Sequence, residues 1–339
     1  MRVHEKNRLV SIIIPNRNRA TTIGKCLAAA QASRYGNFEI IVVDDSSEDN
    51  SIEVIERYRC TLVRLEQHGG AARARNIGVS HSRGQILFFT DADCLLRPDT
   101  LTLAASALAV AGPAAVVGGT YTPTPFDRHF FSRFQSVFIN HFETRHAPAT
   151  DYVATHALAI DAALFRDNRG FAEDVRPILE DVEFSHRLRR AGCRLVMDPA
   201  IQVQHIFNYS LTRSLRNAFI KSMYWTRYAL RNRDLLADSG TASVELKVNV
   251  GVFACNILLL CGYFLTESMV FLAFVPVALT FDLLLNRGLL LALHRAGGLG
   301  FAVMAALYYL LLYPVAVGAG AGAGLALYLR SLGRFRGKC

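Results

Sequence analysis

Three acidic clusters carry most of the chemistry that can be read from this sequence. Asp91-Ala92-Asp93 follows the apolar run Ile86-Leu87-Phe88-Phe89. Two carboxylates on a turn beyond a buried strand offer hard oxygen ligands to a divalent cation, magnesium or manganese, which in turn holds substrate phosphates. The same acids can equally cap the following helix. Asp44-Asp45-Ser46-Ser47 ends another apolar run; a carboxylate there accepts hydrogen bonds from a ribose hydroxyl or a base N–H, or caps the helix that starts at Ser51. Glu180-Asp181 opens a helical pattern in which Val182, Phe184, Leu188 and Ala191 share one face and Arg187, Arg189 and Arg190 the other. Adjacent acids project differently, so one can serve as a general base while the other anchors the turn, and either can simply compensate the helix dipole. His205 ends the strand-like Ile201-Gln202-Val203-Gln204, where it is a metal ligand, a phosphate contact or a polar strand end. No G-x-G-x-x-G follows the first strand and no G-x-x-x-x-G-K-[ST] occurs, so phosphate charge has to be met by a cation and by basic side chains, with Arg17, Arg73 and Arg75 at hand.

The elements that position these groups alternate. Strands are expected over 9–14, 38–43, 61–65 and 85–90, and helices over 21–33, 51–58 and 71–80. Apolar strands alternating with helices imply an α/β, Rossmann-like, mostly parallel sheet with helices on both faces. In such a sheet ligands bind beyond the carboxyl ends of the strands, where Pro15-Asn16-Arg17, Asp44-Asp45 and Asp91-Ala92-Asp93 stand.

The chain has 339 residues, 52% hydrophobic, with a formal net charge of +9 and a mean hydropathy of +0.24. Disorder is excluded by the apolar content. Seven scattered cysteines without a C-x-x-C pair exclude a zinc fold and fit a reducing compartment. The charged start, MRVHEKNRLVSIIIP, is no signal peptide, which places the first domain in the cytoplasm. From Val248 to Asn286 the only charges are Glu267 and Asp282, and from Ala296 to Leu329 there is none, whereas a bilayer span takes about 20 apolar residues. Two to four transmembrane helices are expected over 248–330, with a turn near Thr266-Glu267-Ser268; the second apolar stretch reads either as one tilted helix or as a hairpin broken near Pro314. Basic residues before, between and after the apolar stretches favour four spans with both ends cytoplasmic. Residues 205–247 read as an amphipathic interface helix and linker, residues 1–204 as the catalytic domain, and 331–339 as a basic cytoplasmic tail. This basic excess beside the apolar block is explained by membrane lipid without nucleic acid.

Taken in order, these motifs resemble a membrane-anchored bacterial family 2 glycosyltransferase of the GT-A fold, over roughly residues 9–230. Val10 to Asn18 is similar to the family's opening strand and nucleotide loop, which brings in Pro15 and Arg17; Ile41-Val42-Val43-Asp44-Asp45-Ser46-Ser47-Glu48-Asp49 to its VDDxSxD segment; Ala74-Arg75-Asn76-Ile77-Gly78 to its ARNxG helix; Gly170-Phe171-Ala172-Glu173 to its GGFDE turn; and Glu180-Asp181 to its ED motif. The resemblance implies that Asp45 contacts the base, Asp91 the ribose side and Asp93 the cation, that Arg73, Arg75 and Glu180 belong to the nucleotide-sugar site, and that Asp181 is the base of an inverting transfer. His156 precedes Ala157, which occupies the position where the family often has the donor-sugar asparagine, and stands in for it. His205 is the candidate third ligand of Mn²⁺ or Mg²⁺. The implied donor is a nucleotide-sugar, a UDP-sugar foremost, and the implied acceptor a lipid-linked or other cell-envelope glycan, at the inner membrane.

No QxxRW motif follows the ED helix, which favours one transfer per encounter over a processive polysaccharide synthase. A polyprenyl-phosphate glycosyltransferase is the other enzymatic alternative, and an inactive GT-A scaffold the non-enzymatic one. A scaffold that had lost catalysis would be expected to lack charge at Asp91, Asp93 or Asp181, and all three are present.

Overall fold

The computed structural model describes residues 8–174 and 178–336. The charged leading residues 1–7 lie outside it, as do the side chains of Arg334, Arg336 and Lys338 in the expected basic tail. The chain divides into two compact units, one running to Arg128 and resuming over Glu143–Asn208, the other formed by His129–Phe142 and everything from Tyr209.

The first unit is built on an eight-stranded sheet: β1 (Val10–Asn16), β2 (Phe38–Asp44), β3 (Thr61–Arg64), β4 (Ile86–Phe89), β5 (Cys94–Leu96), β6 (Ala115–Tyr121), β7 (Leu158–Asp161) and β8 (Arg194–His205), in the order β3-β2-β1-β4-β7-β6-β8-β5. The first four in that order are parallel. β7 then runs antiparallel to both β4 and β6, β8 runs parallel to β6, and β5 closes the edge antiparallel to β8. The parallel half comes from β-branched runs buried on both faces, as Ile12, Ile13, Ile14, Ile41, Val42 and Val43 are. Helices α1 (Ile23–Gln31), α2 (Ser51–Ile55) and α3 (Ala71–Ser80) form the crossovers, and α4 (Thr100–Ala111) packs on β6 and β8. Because β1, β2 and β4 point the same way, Asn16, Asp44-Asp45 and Asp91-Ala92-Asp93 all emerge at one end of the sheet. Beneath them lies a core of Phe89, Phe165, Phe171 and Phe184, with ring centroids 4.9–5.3 Å apart.

The second unit is helical. After α5 (Phe130–Thr144), α6 (Ala162–Asp167) and α7 (Glu180–Arg190), the chain forms α8 (Leu211–Asn232), α9 (Val244–Thr266), α10 (Met269–Leu285), α11 (Arg287–Leu307) and α12 (Tyr313–Arg336). Composition assigns α5 to the catalytic domain, yet its apolar face packs within the second unit, Phe134 lying 4.9 Å from the Tyr308 ring and 5.5 Å from Tyr313. Ser210 and Ser243 cap α8 and α9, each hydroxyl accepting a backbone N–H of the first turn. The expected amphipathic helix forms as α8 and lies along α12. There the Gly/Ala run acts as a contact surface: a Cβ on Gly320 would sit 2.3 Å from the Phe219 carbonyl oxygen, and one on Gly324 2.4 Å from that of Met223, the close approach of a small-xxx-small helix pair.

The turn expected near Thr266-Glu267-Ser268 separates α9 from α10, with Glu267 in the left-handed region at φ 53°. Of the two readings of the second apolar stretch, a hairpin broken at Pro314 does not form, and the run Arg287–Leu332 is helical throughout apart from a kink. Gly298, at φ 76°, interrupts α11, whereas Pro314 is the second residue of α12 and follows a π-helical turn over Tyr308–Leu312. A wide turn and a position at the head of a helix absorb the missing proline N–H, so the chain does not reverse there. Among the described residues, two helical runs are long and apolar enough to cross a bilayer, Val244–Thr266 and Arg287–Leu332; Met269–Leu285 is apolar but only 17 residues long.

Candidate active site

Asp91 and Asp93 occupy the turn between β4 and β5. Asp93 is buried, with Oδ1 3.3 Å from His205 Nε2 and Oδ2 3.4 Å from the Arg19 guanidinium. His205 reaches this point because β5 pairs antiparallel with β8, placing Cys94 opposite His205. Its ring stacks on Phe207 at 3.9 Å and stands edge-on to Tyr121. Asp93, Cys94 and His205 each offer a ligand atom within 4.8 Å of the others. Burial and the two neighbouring carboxylates push the Cys94 thiol far up, so it stays protonated, and the usable donors are an oxygen and an imidazole nitrogen. Carboxylate with imidazole suits Mn²⁺, and carboxylate with phosphate suits Mg²⁺. The residues present therefore fit a divalent cation.

Asp91 accepts a hydrogen bond from Arg75 Nη2 at 2.7 Å, and Nη1 of the same guanidinium donates to Glu180 at 2.6 Å. Arg75 is 4% exposed, so this residue, read from the sequence as a phosphate contact, is placed as a bridge between two acids. Burial works against ionisation of Asp91, but Arg75 and then His156 hold its carboxyl below the usual range. Beside Arg75 on α3, Asn76 grips the Gly170-Phe171 turn: its amide donates to the Phe171 carbonyl at 2.8 Å and its carbonyl accepts the Phe171 N–H at 3.0 Å. The ARNxG and GFAE segments are thus one clamp.

Glu180 and Asp181 start α7 from Leu179, a non-glycine residue in the left-handed region at φ 82°, the kind of backbone cost that persists where the surroundings impose it. Glu180 is buried against Arg75. Asp181 is partly exposed, and its Oδ2 accepts the Thr155 N–H at 3.4 Å. Burial first and the adjacent Glu180 charge second push its carboxyl up from 3.8 to about 6. This is the range of a general base that is ionised at neutral pH yet still proton-hungry. The two acids therefore differ in surroundings: Glu180 is paired with Arg75, and Asp181 is partly exposed and accepts the backbone N–H groups of Thr155 and Val182.

Asp45 ends the second strand buried, with Oδ1 accepting the Gly69 N–H at 2.7 Å, Oδ2 the Gly70 N–H at 2.8 Å, and His68 Nδ1 2.7 Å away. Gly70, at φ 91°, then turns the chain into α3, a backbone conformation that glycine adopts without cost. Asp44 accepts from Ser47 and Asn16 and orders the loop. Pro15 lies at the carboxyl end of β1, where a missing N–H is tolerated. Arg17 is half-buried, its Nε without a hydrogen-bond partner among the described residues, and Arg73 is exposed with its stem against Gly69. His156 is buried, stacked on Tyr121 at 4.0 Å, with Nε2 3.4 Å from Glu143. Burial lowers its basicity, but the Glu143 charge outweighs that and raises it. Three participants escaped sequence reasoning. Arg19 was discoverable as the second arginine of Arg17-Asn18-Arg19. Glu143 and Tyr121 carry no local signal, because folding alone brings them to His156.

Residues 11–168 match the family model described as glycosyl transferase family 2. Glycosyltransferase GlyG of Streptococcus pneumoniae is 28% identical over 130 residues, 37% of this chain and 43% of that protein. AglE of Haloferax volcanii is 35% identical over 117 residues, 32% and 38% of the two. The Escherichia coli UDP-Glc:alpha-D-GlcNAc-diphosphoundecaprenol beta-1,3-glucosyltransferase WfgD is 38% identical over 88 residues, 25% and 35%. The chain thus spans less than half the length of the curated relatives it matches. In fold it resembles the mannosyltransferase PcManGT from Pyrobaculum calidifontis, solved with GDP-Man and Mn²⁺, at 20% identity and a TM-score of 0.58 over 95% of this chain and 87% of that one. Residues 11–168 of this chain, within a unit of GT-A fold, thus match glycosyl transferase family 2.

Proposed function

We propose that the protein transfers one sugar per encounter from a nucleotide-diphosphate donor, a UDP-sugar foremost, to a hydroxyl of a lipid-linked or cell-envelope glycan, with inversion and with a divalent cation. The observation that carries this reading is the arrangement around Arg75. One guanidinium ties Asp91 of the cation motif to Glu180 and leaves the neighbouring, partly exposed Asp181 carboxylate, raised to about 6, without an ion pair of its own among the described residues. Asp181 takes the proton of the acceptor hydroxyl as its oxygen bonds to the anomeric carbon; the bond from that carbon to the diphosphate oxygen breaks, and the electron pair leaves with the diphosphate. A Mn²⁺ or Mg²⁺ held by Asp93, Asp91 and His205 supplies charge neutralisation for that leaving group. Arg19 and Arg17 add positive charge beside it, and Asp45 and Pro15 bound the base and ribose side. Mn²⁺ with a nucleotide-sugar in PcManGT and an acceptor on diphosphoundecaprenol in the name of WfgD support the cofactor and the acceptor class. The two apolar helical runs support anchoring in a membrane; several passes of the inner membrane with the catalytic domain on the cytoplasmic side belong to the reading of the basic residues flanking the apolar stretches.

The test is UDP titrated into EDTA-stripped protein and again after Mn²⁺ is restored. Affinity is expected to fall at least about tenfold without metal, and Asp93→Asn to abolish the difference. Undiminished affinity in the stripped protein overturns the cation's role, and metal dependence that survives His205→Ala removes that residue from the site.

A further inference from the structure

Thr155-His156-Ala157 forms a turn tied both to the cation motif and to the candidate base. The Thr155 N–H donates to Asp181 at 3.4 Å, and the His156 carbonyl accepts the hydroxyl of Thr90, the residue before Asp91, at 2.9 Å. His156 is close enough to Asp91 and to Asp181 for their charges to act on one another. In the proposed transfer the anomeric carbon lies between its leaving diphosphate, at the cation, and the attacking hydroxyl, at the base. The His156 ring therefore borders the place where the sugar itself must sit.

His156 is fixed at its backbone by Thr90, at its face by Tyr121 and at its edge by Glu143. Tyr121 stacks on it at 4.0 Å and stands edge-on to His205, a candidate cation ligand, at 4.9 Å. Glu143, in the last turn of α5, has a side chain 5% exposed; its Oε2 accepts the Thr120 hydroxyl at 2.7 Å and lies 3.4 Å from His156 Nε2. Nε2 is buried and has no hydrogen-bond partner among the described residues, so this contact is an ion pair rather than a hydrogen bond. A carboxylate buried this far is costly unless it is paired, and neither the cation motif nor the Arg75 bridge uses this one. With Nε2 committed to Glu143, Nδ1 is the ring nitrogen left for a ligand. A carboxylate behind a histidine that settles which nitrogen serves the ligand is the logic of nucleophile–base pairs and of metal sites.

We infer that Glu143 is a positioning residue for the sugar half of the donor, acting through the His156 ring and leaving the nucleotide half untouched. The two histidines on Tyr121 thereby divide the donor, His205 with the cation on the diphosphate side and His156 on the sugar side. The inference rests on the proposed transfer from a nucleotide-sugar.

The experiment uses the full chain in detergent micelles with Mn²⁺. Release of UDP from UDP-glucose, UDP-galactose and UDP-N-acetylglucosamine is followed without acceptor, and UDP alone is titrated. In Glu143→Gln the KM of whichever UDP-sugar the native protein hydrolyses is expected to rise about tenfold, with kcat changed by less than about threefold and Kd for UDP, which carries no sugar, held. Glu143→Asp, which keeps the charge, is expected to recover part of the loss and serves in its place should Glu143→Gln fail to fold. In His156→Asn, whose amide needs no counter-charge, Glu143→Gln is expected to add nothing further. Equal loss of UDP and UDP-sugar affinity, or a Glu143→Gln penalty that persists in His156→Asn, makes Glu143 a merely structural residue and overturns the proposal. A second readout needs neither donor nor turnover: the ring-nitrogen NMR signal of His156 at pH 6.5, identified by its absence in His156→Asn. It is expected to be that of an imidazolium in the native protein, where the Glu143 charge outweighs burial, and of a neutral ring in Glu143→Gln. A protein that shows this change but hydrolyses none of the three UDP-sugars upholds the pair while the functional reading fails, and hydrolysis with a His156 signal unmoved in Glu143→Gln does the reverse.

Discussion

The molecule buries two carboxylate networks, and they are solved differently. In the sheet unit, Asp91 and Glu180 are answered by a full positive charge, the Arg75 guanidinium. In the helical unit, Asp282 is 1% exposed and is answered by amides alone: Asn249 Nδ2 at 2.8 Å and Asn286 Nδ2 at 2.8 Å, with Tyr309 donating to Asn286 at 3.0 Å. An arginine between two acids holds both in place beside the residues proposed to receive the donor. Amides around one acid link α9, α10, the head of α11 and the π-helical turn with no net attraction for a charged ligand. The first network is machinery for a ligand, the second a cross-link.

The sharpest way to break this contrast is at the acid the first network leaves partly exposed. Asp181→Asn keeps shape and removes proton affinity, so kcat is expected to fall by about 10²–10⁴ while UDP affinity holds. Glu180→Gln is expected to lower turnover less and stability more; collapse of kcat in Glu180→Gln with near-normal turnover in Asp181→Asn would reverse the assignment. Next comes the bridge. Arg75→Met leaves the buried Glu180 and the part-exposed Asp91 without a counter-charge, and urea unfolding is expected to register a loss of about 3 kcal/mol, the low end for a broken buried pair because Asp91 meets solvent. A loss under 1 kcal/mol would mean that the acids find water or another cation.

In the helical unit the effect should be smaller. Asp282→Asn in detergent micelles is expected to cost about 0.6–2 kcal/mol by titration with a denaturing detergent, the range of polar contacts between membrane helices, without changing metal-dependent UDP affinity. A change in that affinity would mean the second network is not merely a cross-link.

The smallest effects are in pH. Asp181 must be ionised to accept a proton, so kcat/KM is expected to fall on the acid side with an apparent pKa near 6, a limb absent from whatever residual activity Asp181→Asn retains. His156 has a raised folded-state value, so the stability it confers is complete below its unfolded value of 6.5 and is lost as pH rises through the folded one. The melting temperature of the native protein should therefore decline more steeply above pH 6.5 than that of His156→Gln; parallel curves would rule out the Glu143 pairing.

The same contrast explains what the sequence disclosed. The parallel half of the sheet was legible because Ile12–Ile14 and Ile40–Val43 are apolar runs closed by polar residues, and the helix expected over 71–80 is α3 to the residue. The second half was not. β5 has three residues, β6 reads Ala-Val-Val-Gly-Gly-Thr-Tyr, and both depend on pairing with β8, which lies about a hundred positions away in the chain. In the site, residue type offered Asp91, Asp93 and Asp181 as candidates but not the direction of their partners. Arg75 looks as available to phosphate as Arg73 until burial turns it inward, and Glu143 became visible only when folding placed it beside His156. In the helical unit, composition found the apolar stretches. Its hairpin reading put a break at Pro314 because proline is the strongest local signal, where backbone geometry put a kink at Gly298.

Helix α3 carries Arg75 on one turn position and Asn76 on the next, the first reaching the cation motif and the second holding the turn that leads toward α7. Under the proposed function, donor grip and proton removal therefore share a single lever arm. Substitutions that tilt or slide α3, such as larger residues at Ala74 or Gly78, should not sort into binding mutants and rate mutants. Plotted as log kcat against log Kd for the nucleotide, they should fall along one sloping line, and an evolving enzyme could retune the two together but hardly one at a time through this helix.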